Sequence, residues 1–245
     1  MHVPILIVTR GRDISMQKTA HALEAANIPF YMIRTEGDEI SLPYPQDVVK
    51  AANIGEKRQA VLNHYEQFIM LDDDLSFFRV DEQGKCHEPT PQELCSLFAH
   101  LCELVEVHAL VGLETRFMIH QKERPFNTRW GPIVHLFGVN RALLRGTERF
   151  DRVIGHEDID FVLQVRQNDL PVAVVSDYCH TDAGNFTRKG GCSLWRTIEY
   201  STEQCKVLQS LWPDIITWKP NKQGIPRVTC KWSKLRAQVE GESIT

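Results

Sequence analysis

Three aspartates in a row, Asp72, Asp73 and Asp74, follow the apolar run in "YEQFIMLDDDLSFF". Adjacent like charges repel, so something must relieve them. A solvated turn with a helix cap is the plain reading of a lone acidic pair. Three acids placed between a buried strand and apolar Leu75, Phe77 and Phe78 favour a hard divalent cation instead. Mg²⁺ or Mn²⁺ takes carboxylate oxygens, and substrate phosphates complete its shell. Asp72 and Asp74 fall on one side of an extended segment, where they can share an ion. His180, at the end of "VAVVSDYCH", is expected at the same sheet edge as a third ligand, although a single histidine is more often held by a hydrogen bond.

Two further clusters carry chemistry. In "GHEDIDF", acids at a helix start complement its dipole. Asp158 is also a candidate general base facing the cation, with Glu157 beside it. Basic residues gather in "TRGR" (Thr9, Arg10, Gly11, Arg12), at Lys57 and Arg58, and in "AGNFTRKGGC" at Arg188 and Lys189. The glycines of that last stretch allow a loop to close over a ligand. Singly, each cation reads as surface charge. Together, at strand ends beside a metal, they suit a diphosphate, and the leaving group becomes a nucleoside diphosphate.

The elements that position these residues follow from periodicity. "VPILIV", "IPFYMIR", "QFIML", "ALVGL", "IVHLFGVN" and "PVAVVSD" read as strands. Between them, a helix capped by Asp13 runs to about Asn27 with Ile14, Leu23 and Ala26 inward, and a loop spans Thr35 to Asp47. "IGEKRQAVLNHY", "TPQELCSLFAHLCELVEVH", "HEDIDFVLQVRQND" and residues 194 to 211 read as further helices. Thr90 caps the second of these, with Pro91 in its first turn. This alternation is the grammar of an α/β fold, a mostly parallel central sheet with helices on both faces, where ligands bind beyond the strands' carboxyl ends. A single domain is expected, with a core over residues 1 to 212 and an extension over 213 to 245.

The bulk numbers exclude some classes. The chain has 245 residues, enough for one substantial core, and a net charge of -4, which offers no whole-protein attraction for a polyanion. Seven scattered cysteines without a CxxC pair suit free thiols in a reducing compartment. No signal peptide or membrane span is read, so a cytoplasmic location is expected.

The ordered set of "TRGR", "NIGEKRQAVL", the aspartates, "HLFGVN", "HEDID" and a later histidine resembles the nucleotide-sugar glycosyltransferases of the GT-A fold. Through "VTRGR", "FIMLDDDLSFF", "FGVNRALL" and "GHEDIDF" it looks most like the small TET-associated DNA glycosyltransferases of bacteriophages, relatives of the base J glucosyltransferases. The resemblance implies a UDP-sugar donor and, as acceptor, DNA carrying a hydroxymethylated pyrimidine. It also implies Mn²⁺ or Mg²⁺ on Asp74, Asp72 and His180, and an inverting attack assisted by Asp158. No Gln-x-x-Arg-Trp signature occurs, which argues against a processive polysaccharide synthase.

From Ile215 to Gln238 there is no acid, while Lys219, Lys222, Arg227, Lys231, Lys234 and Arg236 alternate with Trp218 and Trp232. Such interleaving suits a polyanion and its bases; an edge strand guarded by lysines has the same pattern. Trp130, Arg129 and Phe126 are placed to line a pocket for a flipped base, with an ordinary apolar lid as the alternative, favoured for Phe126. Trp130, Arg129, Trp218, Lys231 and Trp232 are therefore the acceptor candidates. Competing functions are the same chemistry on a saccharide, lipid-linked or protein acceptor, a nucleotidyltransferase, and a domain that binds DNA or sugar without turnover.

Overall fold

The computed structural model describes residues 3–117, 126–182 and 197–241. Its centre is a ten-stranded sheet in the order β3-β2-β1-β4-β9-β7-β10-β5-β6, with β8 also paired to β10. The strands are β1 (Ile5–Val8), β2 (Tyr31–Thr35), β3 (Gln46–Val49), β4 (Gln67–Asp72), β5 (Ser76–Val80), β6 (Cys86–His87), β7 (Leu110–Thr115), β8 (Phe126–Asn127), β9 (Leu136–Asn140) and β10 (Val172–Thr181). Only β5, β8 and β9 run against the common direction. The expected mostly parallel α/β sheet is therefore present.

Alternation sorts the strands' side chains onto two faces. Ile5, Ile7, Ile69 and Leu71 join one apolar layer with α1 (Lys18–Ala25) and α3 (Pro91–Val107). Leu6, Val8, Phe68 and Met70 join the other with α2 (Ile54–His64) and α4 (Glu157–Gln167). A third apolar cluster links Leu163 of α4 to Leu208 of α5 (Ile198–Leu211), Ile216 of β11 (Ile216–Pro220) and Leu235 of α6 (Trp232–Glu240). β11 forms an antiparallel hairpin with β12 (Pro226–Cys230).

Several expectations change in detail. Asp13 caps a single 3₁₀ turn, Ile14–Met16, and α1 begins only at Lys18; Ile14 is exposed. The Thr35–Asp47 loop ends in β3, and β5 and β6 follow the aspartates where no strand is expected. The Thr90 cap is a full capping box with Glu93. Among the described residues the cysteines are free thiols, and no helix is long and apolar enough to cross a membrane.

Candidate active site

Parallel register sets the site. Val8 lies beside Asp72 in the β1–β4 ladder, so the "TRGR" and "DDD" segments leave the sheet side by side. Thr19 of α1 then pins the acidic turn. Its hydroxyl donates to the Asp72 carbonyl at 2.6 Å and accepts the Leu75 N–H at 2.9 Å. The three carboxylates are met by neighbouring groups. Thr9 Oγ1 donates to Asp73, Arg12 pairs with Asp73 and, at 2.9 Å, with Asp74, and Arg58 Nη2 reaches Asp72 Oδ1 at 2.6 Å. Gln17 Nε2 holds Thr9 Oγ1 at 2.9 Å and the Arg12 carbonyl at 3.0 Å. The repulsion read from the sequence is thus relieved by two arginines and a hydroxyl.

Arg58 is the centre of this network. It is 3% exposed, lies over the Phe137 ring at 4.9 Å, and its Nη1 is 2.9 Å from Glu157 Oε1. One guanidinium therefore joins the end of β4 to the start of α4. Burial disfavours its charge, but Asp72, Glu157 and Asp158 outweigh that and raise its pKa. The same balance raises Arg12 between Asp73 and Asp74. For Asp72, burial is overcome by Arg58, and the carboxyl is held below its usual range. Asp73 and Glu157 go the other way, each pushed by burial to about 7 in spite of its arginine.

The neighbouring Asp158 is half-buried, and its Oδ1 accepts its own helix's Ile159 N–H at 2.8 Å. Lys57 is not a surface charge: its Nζ donates to the Thr9 carbonyl at 2.5 Å and it is 2% exposed. Arg10 and Gly11 lie at the rim. Arg10 Nη1 holds the Ala52 carbonyl at 2.9 Å, and Gly11, at φ 62, donates its N–H to Asp38 at 3.1 Å. Arg188 and Lys189 lie outside the described residues.

His180 lies next to the last residue of β10. It sits inside β10, past a bulge after Val175, paired with Thr115 on one side and Phe77 on the other. It is fully buried, and burial lowers its pKa to about 3, so the ring is neutral. The carbonyls of Glu114 and Val134 favour its charged form, but neither ring nitrogen makes a well-formed hydrogen bond. Its ring meets that of His135 edge-on at 5.6 Å between centroids. His135 has φ 64, its carbonyl accepts the Asp72 N–H at 2.9 Å, and its Nδ1 is buried without a partner. Sequence reading missed this residue; a histidine entering a fully apolar strand, "HLFGVN", was the available signal.

The donor set suits Mn²⁺ or Mg²⁺ in kind: carboxylates at Asp72 and Asp74, and a neutral buried imidazole with free nitrogens at His180. Among the described residues no three such side chains already form a metal cluster.

The acceptor candidates divide. Arg166 of α4 donates to the Arg129 carbonyl and lies 5.2 Å from the Trp130 ring, its pKa lowered to about 10 by burial. Trp130 and Trp232 both pack against the third apolar cluster, as does Ile159 in the first turn of α4. Trp218 is half-buried on β11, and Lys231 is exposed.

A search of curated proteins finds no match. The sequence model of the TET-Associated Glycosyltransferase family matches residues 3–191, most of the chain, and the chain belongs to that family.

Proposed function

We propose that the protein moves a sugar from a uridine-diphosphate sugar to the hydroxyl of 5-hydroxymethylcytosine in DNA, with inversion, on a GT-A arrangement of the fold. The observation that carries this reading is the Arg58 bridge, which binds the acidic turn after β4 to the Glu157–Asp158 start of α4. This bridge supports a reading in which the diphosphate and the base share one edge of the sheet. The family adds the reaction class.

In this reading Arg12, Thr9 and Lys57 shape the diphosphate side, with Arg10 and Gly11 at its rim and Arg188 and Lys189 on the loop. Asp74, Asp72 and His180 would hold Mn²⁺ or Mg²⁺, which when bound supplies charge neutralisation for the diphosphate. Asp158 takes the proton of the acceptor hydroxyl. The freed oxygen pair forms the bond to the anomeric carbon as the bond to the diphosphate oxygen breaks, and uridine diphosphate carries away the electrons. Glu157, committed to Arg58, is a positioning residue for that step.

The test is release of uridine diphosphate from a panel of UDP-sugars with Mn²⁺, against duplex DNA containing cytosine or 5-hydroxymethylcytosine. Release that requires the hydroxymethyl group is the expected result. Equal release with both duplexes moves the acceptor to a saccharide or protein, and no release with any donor favours a domain that only binds.

A further inference from the structure

The sequence of the extension interleaves cations with tryptophans, but the hairpin separates them. Cross-strand partners share a face, and faces alternate along a strand. Ile216 pairs with Cys230, Trp218 with Val228 and Pro220 with Pro226; this face turns inward, where Ile216 and Pro226 are buried and Val228 and Cys230 pack on the third apolar cluster. Thr217 pairs with Thr229 and Lys219 with Arg227 on the opposite face, where Lys219, Arg227 and Thr229 are exposed. Lys222 stands exposed in the connecting turn, fixed by Asn221 Oδ1 accepting the Gln223 and Ile225 N–H groups at 2.9 and 3.0 Å, and Lys231 is exposed where β12 ends.

Lys219, Lys222, Arg227 and Lys231 have no ion-pair partner among the described residues, whereas Lys234 and Arg236 are taken by Asp214 and Glu240. In a chain of net charge -4, this face of the hairpin thus presents a patch of unneutralised cations flanked by two hydroxyls. That chemistry matches a run of phosphodiesters: point charges and hydroxyl donors, with no aromatic plane for stacking.

We infer that the outer face of the β11–β12 hairpin, through Lys219, Lys222, Arg227 and Lys231, docks the phosphate backbone of duplex DNA, while its inner face fixes that duplex relative to α4. The inner side of the hairpin, through Val228 and Cys230, packs on the same apolar cluster as Ile159, next in the chain to Asp158. Backbone docking therefore sets the approach of the target base to the base residue without reading sequence. This inference rests on DNA being the acceptor, and its test needs no sugar transfer.

The experiment is fluorescence anisotropy of the full chain with a labelled unmodified duplex across a salt series. Each lost phosphate contact lowers the slope of log K against log salt by about 0.9. Lys219→Ala with Arg227→Ala and Lys231→Ala is expected to flatten the slope by roughly 2 to 3 and to leave the thermal midpoint unchanged, since the three side chains are exposed. Lys219→Glu is expected to weaken binding more than Lys85→Glu, the same charge change in the turn between β5 and β6. Slopes unchanged by the triple variant, or equal losses in the two charge reversals, overturn the inference and leave the acceptor to the release assay. Binding of wild type to phosphatidylserine vesicles but not to DNA also overturns it, in favour of a membrane surface.

Discussion

A guanidinium buried among carboxylates is tolerated only while both signs are present. Arg58→Met leaves Asp72 and Glu157 facing each other in the interior, and a loss of about 3–5 kcal/mol is expected by urea unfolding. The proton balance of this site gives a second prediction. Glu157 titrates at about 7 in the fold against an ordinary 4.5, so between those values the folded chain holds a proton that the unfolded chain has released. Its contribution to stability is present below 4.5 and falls as pH rises to about 7. Wild type should therefore lose more stability than Glu157→Gln across that window, measured as urea midpoints at stepped pH. Asp158→Asn is expected to cut transfer by about 10²–10⁴-fold with donor binding kept; a loss of donor affinity equal to that of Asp74→Asn places Asp158 in the donor site instead. Chelation should abolish donor binding, and Asp74→Asn should remove the bound-Mn²⁺ signal in electron spin resonance. The acidic turn at Asp72 to Asp74 was legible because acids in a row after an apolar strand are conspicuous. The burial of Arg58 between Asp72 and Glu157 was not, because a Lys-Arg pair in a helix reads as a cation facing the donor. The spacing of Arg58 from Gly55, Val61 and Leu62, all buried on one side of α2, was the neglected sign.

Elements with strong local chemistry declared themselves. The Thr90–Glu93 box and the leucines of α3 are sequence signals that no tertiary contact has to supply. β3 and β5 were hidden for the opposite reason. "QDVV" and "SFFRV" are short, partly polar or irregularly patterned, and exist because β2 and β10 offer them ladders. The reach of β10 as far as His180 was hidden for a related cause, since "VAVVSD" ends its regular pattern at a bulge that the chain resumes beyond. Close packing of elements also rests on particular small residues. A Cβ on Gly138 of β9 would lie 2.5 Å from Val105 Cγ2 of α3 and 3.0 Å from Val111 Cβ of β7. Gly138→Ala is expected to cost roughly 1–3 kcal/mol in chemical denaturation, because both neighbours are held in the core.

At the scale of the whole molecule, the extension is tied to the core by more than apolar contact. Gln209 Nε2 of α5 donates to the Ile216 carbonyl of β11 at 3.4 Å, and Trp212, the residue before the extension, donates Nε1 to buried Asp160 at 2.7 Å. Leu235 of α6, 1% exposed, closes the third cluster from the far end of the chain. Leu235→Ala should lower the stability of the whole chain by about 2–5 kcal/mol in one cooperative transition; a separate early transition would show α6 unfolding alone. The sheet has a consequence for the protein's birth. β10 is the shared partner of β7, β5 and β8, yet it is made long after β5 and β7. At about 5–20 residues per second, the roughly sixty residues from β7 to β10 take about 3–12 s to be made. Through that interval the apolar edges of β5 and β7 wait unpaired on the ribosome. Lower growth temperatures or a holdase that covers those edges should raise the soluble yield, and the last strand of the central sheet to emerge decides whether β5 and β7 are kept.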